Sequence, residues 1–206
     1  RTKARADKLK RRPLVAALIA SNTPATRLYL EVKARRATDA GCVLETRSLG
    51  APVNDADAVI VQLPVPAGMS QKEVCDTISL FKDADVLSAA ARAKFERGDP
   101  DALLPPVVGA MREIFLQNAI DPKGKKAVIV GDGWLVGNPC AKWLTQKGAE
   151  VIVLTSESDN LTAALRAADI IISGAGSPHL IKPEMLKQGV VLIDAGTSES
   201  DGTIVG

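Results

Sequence analysis

Three groupings of residues in this chain have the types and spacing to do chemistry. Gly131-Asp132-Gly133-Trp134-Leu135-Val136-Gly137 follows the apolar run Ala127–Val130 and leads through Asn138-Pro139 into a helix-like stretch. Gly131 and Gly133 let a backbone turn tightly and approach a pyrophosphate, while the N–H groups at the start of the next helix face the anion. Taken alone, Gly-x-Gly reads equally as an ordinary strand-to-helix turn; its neighbours decide. Tyr29 and Lys33 form the second grouping, four apart on an expected helix, so phenol and ammonium share a face. Spacing alone makes them a plain surface pair. The third grouping is Gln62 in Val61-Gln62-Leu63-Pro64-Val65-Pro66, with the two carboxylates of Lys82-Asp83-Ala84-Asp85. A polar side chain ending an apolar strand points toward the usual ligand side of α/β sheets, although a capping amide explains Gln62 as well. For Asp83 and Asp85 an Asx-turn is the default.

The elements that must position these groups follow from pattern. Runs Val151–Thr155, Asp169–Ser173 and Val190–Asp194 read as buried strands after Ala127–Val130, with helix-like segments 138–147 and 160–168 and a short 183–188 between them. Strands alternating with helices at this spacing predict a doubly wound parallel sheet, which favours the nucleotide reading of the glycine turn. In the first half, Pro13–Ala20, Cys42–Leu49 and Ala58–Leu63 read as strands, and Pro24 opens a helix to about Ala40 with Gly41 as its stop. Leu104-Pro105-Pro106 breaks the chain, and Val107–Phe115 forms a helix leading into the second half. The expected fold is two α/β lobes with a cleft between them, residues 1–118 and 119–206, the second a Rossmann-type sheet.

The 206 residues are 46% hydrophobic with a net charge of +2, enough for a core and without a general preference for polyanions. Seven of the first twelve residues are Lys or Arg, which reads as a solvated, partly frayed helix rather than a nucleic-acid site. Cys42, Cys75 and Cys140 are widely spaced, suggesting neither a disulfide framework nor a zinc site, and a reducing cytoplasmic setting fits. No apolar stretch reaches membrane-spanning length and no secretory signal is visible. A start at Arg1 and an apolar stop at Ile204-Val205-Gly206 lead us to expect residues missing from one or both ends.

In order, these pieces resemble the bifunctional methylenetetrahydrofolate dehydrogenase/methenyltetrahydrofolate cyclohydrolase family, from about Pro13 to Gly206. The resemblance rests on Tyr29-x-x-x-Lys33, the Val-Gln-Leu-Pro-x-Pro run at 61–66, the Lys-Asp-x-Asp turn at 82–85, Val136-Gly137-x-Pro139, and Ala168-Asp169-Ile170 with Gly176-Ser177-Pro178 leading to Ile193-Asp194-x-Gly196. It implies tetrahydrofolate derivatives as substrates, NAD(P) as cofactor and a homodimer paired through the second lobe, where strands 151–155 and 169–173 would offer the surface. It further implies Lys33 as the central acid/base group, Gln62 as its hydrogen-bonding orienter, Tyr29 stacked along the folate and Asp85 accepting from the pterin. Gly131, Asp132, Gly133, Val136, Gly137, Ser156, Glu157 and Gly176 would surround the dinucleotide. The reaction implied is hydride transfer from the methylene carbon, then opening of the methenyl cation by water to 10-formyltetrahydrofolate.

The departures from the family pattern carry their own expectations. Asp132 stands where the family usually has an arginine that holds the 2′-phosphate of NADP, and Glu157 lies where an acid accepts from a ribose 2′-OH, so both argue for NAD. Leu104-Pro105-Pro106-Val107 replaces the family's Pro-Cys-Thr-Pro, and Val86 replaces the glycine after the second aspartate, which bears on the pocket shape near Asp85. Residues 49–57 are brief where the family has a further helix, and its Pro-Gly-Gly-Val-Gly-Pro-Met-Thr segment does not follow Gly206. A non-catalytic or impaired, nucleotide-binding or dimer-forming remnant is therefore the alternative, against which Tyr29, Lys33, Gln62 and Asp85 together argue. Another two-lobed dehydrogenase would share the glycine turn but not Gln-Leu-Pro-x-Pro. His179, the only histidine, reads as a solvent-facing loop residue, and Trp134 either packs the helix on the sheet or covers the cofactor.

Overall fold

The computed structural model describes residues 2–20, 23–196, 198–200 and 203–205. It divides into two compact units, Arg1–Leu103 and Leu104–Gly206. In the first, a short helix α1 (Thr2–Ala6) precedes strand β1 (Leu14–Ile19), helix α2 (Pro24–Asp39), β2 (Val43–Ser48) and β3 (Ala58–Gln62), followed by α3 (Gln71–Asp76) and α4 (Ala89–Arg97). Helix α2 begins where expected because Thr23 caps it, its hydroxyl accepting from Thr26 N at 3.1 Å, with Pro24 pre-set for the first turn. Its end is marked by Gly41 at φ +83°, a conformation that costs glycine little. The apolar stripe of α2 and the middle of the sheet meet in Ala17, Leu30 and Ile60, all buried.

The sheet order is β2-β1-β3, all parallel, with β1 in the centre. Parallel neighbours need a crossover that returns the chain to the other end of the sheet, usually a helix. Between β2 and β3 the chain does this over residues 49–57 with no helix. Arg47 grips it through a bidentate pair with Asp55 at 2.7 Å and a bond to Pro52 O at 2.8 Å, and Lys82 Nζ donates to Val53 O and Asn54 O, each at 2.9 Å.

The second unit opens with α5 (Pro106–Gln117), then β4 (Lys126–Val130), α6 (Gly137–Gln146), β5 (Glu150–Leu154), α7 (Leu161–Ala167), β6 (Ile170–Ser173), a single 3-10 turn (Pro183–Met185) and β7 (Val191–Asp194). Its parallel sheet has the order β5-β4-β6-β7. Val128, Val130, Leu154, Leu165 and Ile171 form its core, and a small antiparallel pair, β8 (Ser198–Ser200) and β9 (Thr203–Val205), follows. The division at Leu103/Leu104 falls ahead of the boundary expected near 118, because α5 belongs to this core: Phe115 meets Trp143 of α6 edge to face at 5.9 Å. The segment at 183–188 shrinks to that 3-10 turn, and α3 and α4 add helices that the apolar pattern did not indicate.

Each sheet is tied at its base by one aspartate. Asp57, just before β3, accepts from Leu14 N at 2.8 Å and holds Arg11 with both oxygens at 2.7 Å. Asp169, just before β6, accepts from Lys126 N at 2.9 Å and from Lys187 Nζ at 2.6 Å. These bonds favour the charged form, led by the Arg11 bond at Asp57 and the Lys187 bond at Asp169, so both carboxyls titrate below the usual range. A depressed folded value stabilises above the unfolded value and is lost as pH falls through the folded one. Asp169→Ala should therefore cost about 1–2 kcal/mol at neutral pH, the solvent-exposed ion pair adding little. Chemical denaturation at pH 7 and again below pH 3 should show the gap between variant and parent closing in acid.

Candidate functional site

In the first unit the C-terminal end of β3 gathers the predicted groups. Lys82–Ala84 runs beside β3 as a fragment of a further parallel strand: Val59 N donates to Lys82 O at 2.7 Å and Ala84 N to Val59 O at 3.2 Å. Because this pairing is parallel, Asp85 is carried toward the same end as Gln62. Lys33, on α2, donates from Nζ to Gln62 Oε1 at 3.0 Å, and Gln62 Nε2 donates to Leu63 O at 3.0 Å, so the amide can present only its oxygen to the ammonium. Burial raises the Asp85 carboxyl above the usual carboxylate range; the nearby Lys33 charge opposes that rise and Asp83 adds to it. Tyr29 lies one turn before Lys33 and is exposed, as are Leu28 and Val32.

Asp83 departs from the expected Asx-turn. It is fully buried, and its carboxylate accepts from Leu87 N at 3.2 and 3.0 Å and from Ser88 N at 2.7 Å, four and five residues ahead. Beyond that turn the sequence reading gave this residue no part in the site. The available signal was Ser88, a helix cap whose hydroxyl accepts from Ala91 N at 3.3 Å and which fixes where the turn must end. Inside the turn, Val86 is 2% exposed and sits at φ +57°, the left-handed region where a β-branched side chain is strained.

In the second unit the glycine turn lies at the carboxyl ends of β4 and β6, where the strand order reverses and α/β sheets bind ligands. The three glycines do different things. Gly131 turns at φ +91° against the Gly174 backbone, and its N–H donates to Leu154 O at 2.7 Å. At Gly137 a Cβ would stand 1.8 Å from Gly131 O, so only glycine lets α6 pack onto the turn. Gly133 has neither a positive φ nor any chain atom within 4 Å of where its Cβ would be, so its expected part in the tight turn falls to Gly131. No contact within the chain requires glycine at 133, and the exposed position is open to an outside group.

Asp132 follows β4 by two residues, as Ser156 follows β5, and Val130 and Leu154 are register partners, so both lie past adjacent strand ends. Asp132, Ser156 and Glu157 are all exposed. The β5 loop is compact, with Thr155 N donating to Ser158 Oγ at 3.0 Å and Glu157 N to Thr155 Oγ1 at 3.4 Å. Val136 precedes α6 and packs at Gly174, where a Cβ would meet its Cγ1 at 2.8 Å. Gly176 lines a small depression beyond β6 and β7 with Ser173, His179, Asp194 and Gly196. His179 is an exposed loop residue at φ +59°, and Trp134 is half-buried.

Burial pushes the Cys75 thiol up to about 11 and the Cys140 thiol up to about 12, which suits packing rather than nucleophilic chemistry. Among the described residues no group of three or more His, Cys, Asp or Glu is placed to hold a metal, and no helix is long and apolar enough to cross a membrane.

Comparison with known proteins finds relatives along the chain. The family model for the tetrahydrofolate dehydrogenase/cyclohydrolase NAD(P)-binding domain matches residues 105–206. Over 200 residues the chain is 35% identical to the bifunctional protein FolD of Moorella thermoacetica, covering 89% of this chain and 71% of that one. It is 33% identical to FolD of Ruminiclostridium cellulolyticum over 226 residues, covering 99% and 78%. Among solved structures, the bifunctional FolD methylenetetrahydrofolate dehydrogenase/cyclohydrolase of Campylobacter jejuni superposes with a TM-score of 0.89 at 26% identity, covering 100% of this chain and 79% of that one.

The environment of Asp85 makes a test of its own. A carboxyl whose folded pKa lies above its unfolded value contributes stability below the unfolded value and loses it as pH rises through the folded one. Asp85→Asn removes that loss. The variant should be at least as stable as the parent at pH 7, and thermal unfolding followed against pH should show the two converging in acid. A clear loss of stability at pH 7 would instead mark the carboxylate as structural.

Proposed function

The chain belongs to the bifunctional methylenetetrahydrofolate dehydrogenase/methenyltetrahydrofolate cyclohydrolase family, and we propose that the cluster of Lys33, Gln62 and Asp85 is where it carries out that family's chemistry. As a member it is an NAD(P)-dependent enzyme that oxidises 5,10-methylenetetrahydrofolate to the methenyl form and hydrolyses this to 10-formyltetrahydrofolate. The observation that carries the assignment of residues is the Lys33–Gln62 bond at 3.0 Å near the half-buried Asp85 carboxyl, whose raised titration the Lys33 charge opposes. A lysine serving only the surface has no use for an amide that offers it one oxygen.

In this reading Asp85 accepts hydrogen bonds from the amino-pyrimidine edge of the pterin, and Tyr29 lies along the aromatic part of the folate. Bound NAD(P) supplies the hydride acceptor, and Gly131, Gly133, Val136, Gly137 and Gly176 border the surface that would hold it. Gln62 Oε1 keeps Lys33 Nζ directed at the one-carbon bridge. In its amine form Nζ takes a proton from water as the water oxygen bonds to the methenyl carbon; the carbinol hydroxyl of the adduct then gives up its proton as the carbon–N5 bond breaks and N5 takes one up, leaving the formyl group on N10. The net proton released leaves from Nζ to solvent.

The same reading carries a homodimer. Of the two strands considered for its surface, β6 is wholly buried in the middle of the sheet and cannot serve, whereas β5 is an edge strand exposing Ile152 and Val153. Sedimentation velocity at micromolar protein decides between this dimer and a monomer.

Lys33→Met is expected to lower cyclohydrolase turnover by at least about a hundredfold while leaving the far-ultraviolet spectrum and melting temperature close to the parent's. Near-normal hydrolysis of methenyltetrahydrofolate would remove Lys33 from the mechanism.

For the dinucleotide we propose NAD at least as good as NADP. A 2′-phosphate about 4 Å from one carboxylate costs on the order of several kcal/mol at an effective dielectric near 20, before screening and side-chain rotation reduce it. Asp132 and Glu157 are exposed enough to rotate, yet a residual of about 1.4 kcal/mol is still tenfold. Initial rates with each cofactor should give an NAD to NADP ratio of kcat/KM of one or more in the parent, falling in Asp132→Arg. A parent that clearly prefers NADP would overturn the assignment.

A further inference from the structure

Between the strand fragment 82–84 and α4, the chain makes its tightest demand on the backbone at Val86, buried and left-handed at φ +57°. A β-branched residue does not hold this conformation unless the surroundings over-determine it. What over-determines it here is Asp83. Its carboxylate spans the strained residue and binds the N–H groups of Leu87 and Ser88 beyond it with three contacts between 2.7 and 3.2 Å. Among the described residues no lysine or arginine pairs with Asp83, although it is fully buried; Lys82 beside it is engaged with Val53 O and Asn54 O. A buried charge with only backbone donors is costly unless those bonds are good, so the 83–88 turn and the carboxylate depend on one another.

We propose that Asp83 is a positioning residue for the folate site: by clamping Leu87 and Ser88 it holds Val86 left-handed and so fixes where Asp85, between them, presents its carboxylate. This rests on the assignment of Asp85 to folate above. Asp83 itself touches no substrate. Without the clamp the strain at Val86 is relieved by relaxing the turn, and Asp85 moves with it. A glycine at 86 needs no clamp, since it adopts the same φ without a Cβ penalty. The clamp and the strain are thus two halves of one device, and loss of one should be compensated by removal of the other.

Four variants read this out by steady-state kinetics with methylenetetrahydrofolate and NAD(P), with melting temperatures in parallel. Asp83→Asn is isosteric but turns an N–H group toward the Leu87 and Ser88 donors; it should raise the folate KM about tenfold or more with the NAD(P) KM within about twofold. Ser70→Ala removes the cap of α3, outside the 83–88 turn, and should lower the melting temperature without moving the folate KM. Asp83→Asn combined with Val86→Gly should return the folate KM to within about threefold of Val86→Gly alone. That comparison stands even if Asp83→Asn by itself does not fold.

The proposal is overturned if Asp83→Asn moves the folate KM no more than Ser70→Ala, or if the double variant stays about tenfold above Val86→Gly. Asp85→Asn separates this from the assignment beneath it. An unchanged folate KM in Asp85→Asn defeats that assignment, whereas a raised one with an unaffected Asp83→Asn defeats the positioning role alone.

Discussion

Parallel strands deliver all their carboxyl ends to one edge of a sheet, and in each unit the groups with chemistry sit at that edge. Gln62 ends β3, and the parallel pairing of Val59 with Asp83 sends Asp85 the same way. In the second unit Gly131, Ser156, Gly174 and Asp194 all follow from the register of β4, β5, β6 and β7. The chemistry is gathered by strand direction, and side-chain bonds such as Lys33 to Gln62 then refine what direction has already brought near.

The two units solve the same problem with the same device. Each has its first strand in the middle, its second on one side and its third on the other. Each ties the base with an aspartate before the third strand that accepts from the first N–H of the central strand and pairs with a cation, Arg11 for Asp57 and Lys187 for Asp169. A carboxylate there fixes register: sliding the central strand by one residue would withdraw the N–H and leave the charge half satisfied.

Much of this was legible in the residues. Strand-like runs flanked by turn residues located β1 to β7 to within a residue or two; in β1, β3, β4 and β6 burial leaves little room for polar side chains, whereas β2 carries Glu45, Thr46 and Arg47 and β5 is an exposed edge. Lys33, Gln62 and Asp85 were legible only as an ordered set, because the bond between Lys33 and Gln62 joins a helix to a strand and no local spacing records it. The 83–88 turn was illegible for a different reason: a valine is a poor candidate for positive φ, and the carboxylate that makes it possible acts four and five residues ahead. Helices α3 and α4 lack strong apolar periodicity, yet Ser70-x-x-Glu73 and Ser88 were readable caps. The helix at 106–117 joins the second unit through Phe115 and Trp143, a pairing across sequence that no local pattern records, although Leu104-Pro105-Pro106 marks the break at which the division falls.

The crossover at 49–57 has no ladder of its own, so its order is borrowed from Arg47 and Lys82. Lys82 lies three residues before Asp85, which means the same short segment anchors the crossover with its side chain and carries the site with its backbone. Opening the crossover strands the Lys82 ammonium without its two carbonyls and loosens the strand fragment next to it. Local unfolding of the crossover should therefore loosen the binding turn with it, and the amides of 49–57 and 82–88 should exchange as one foldon although they are far apart in the chain.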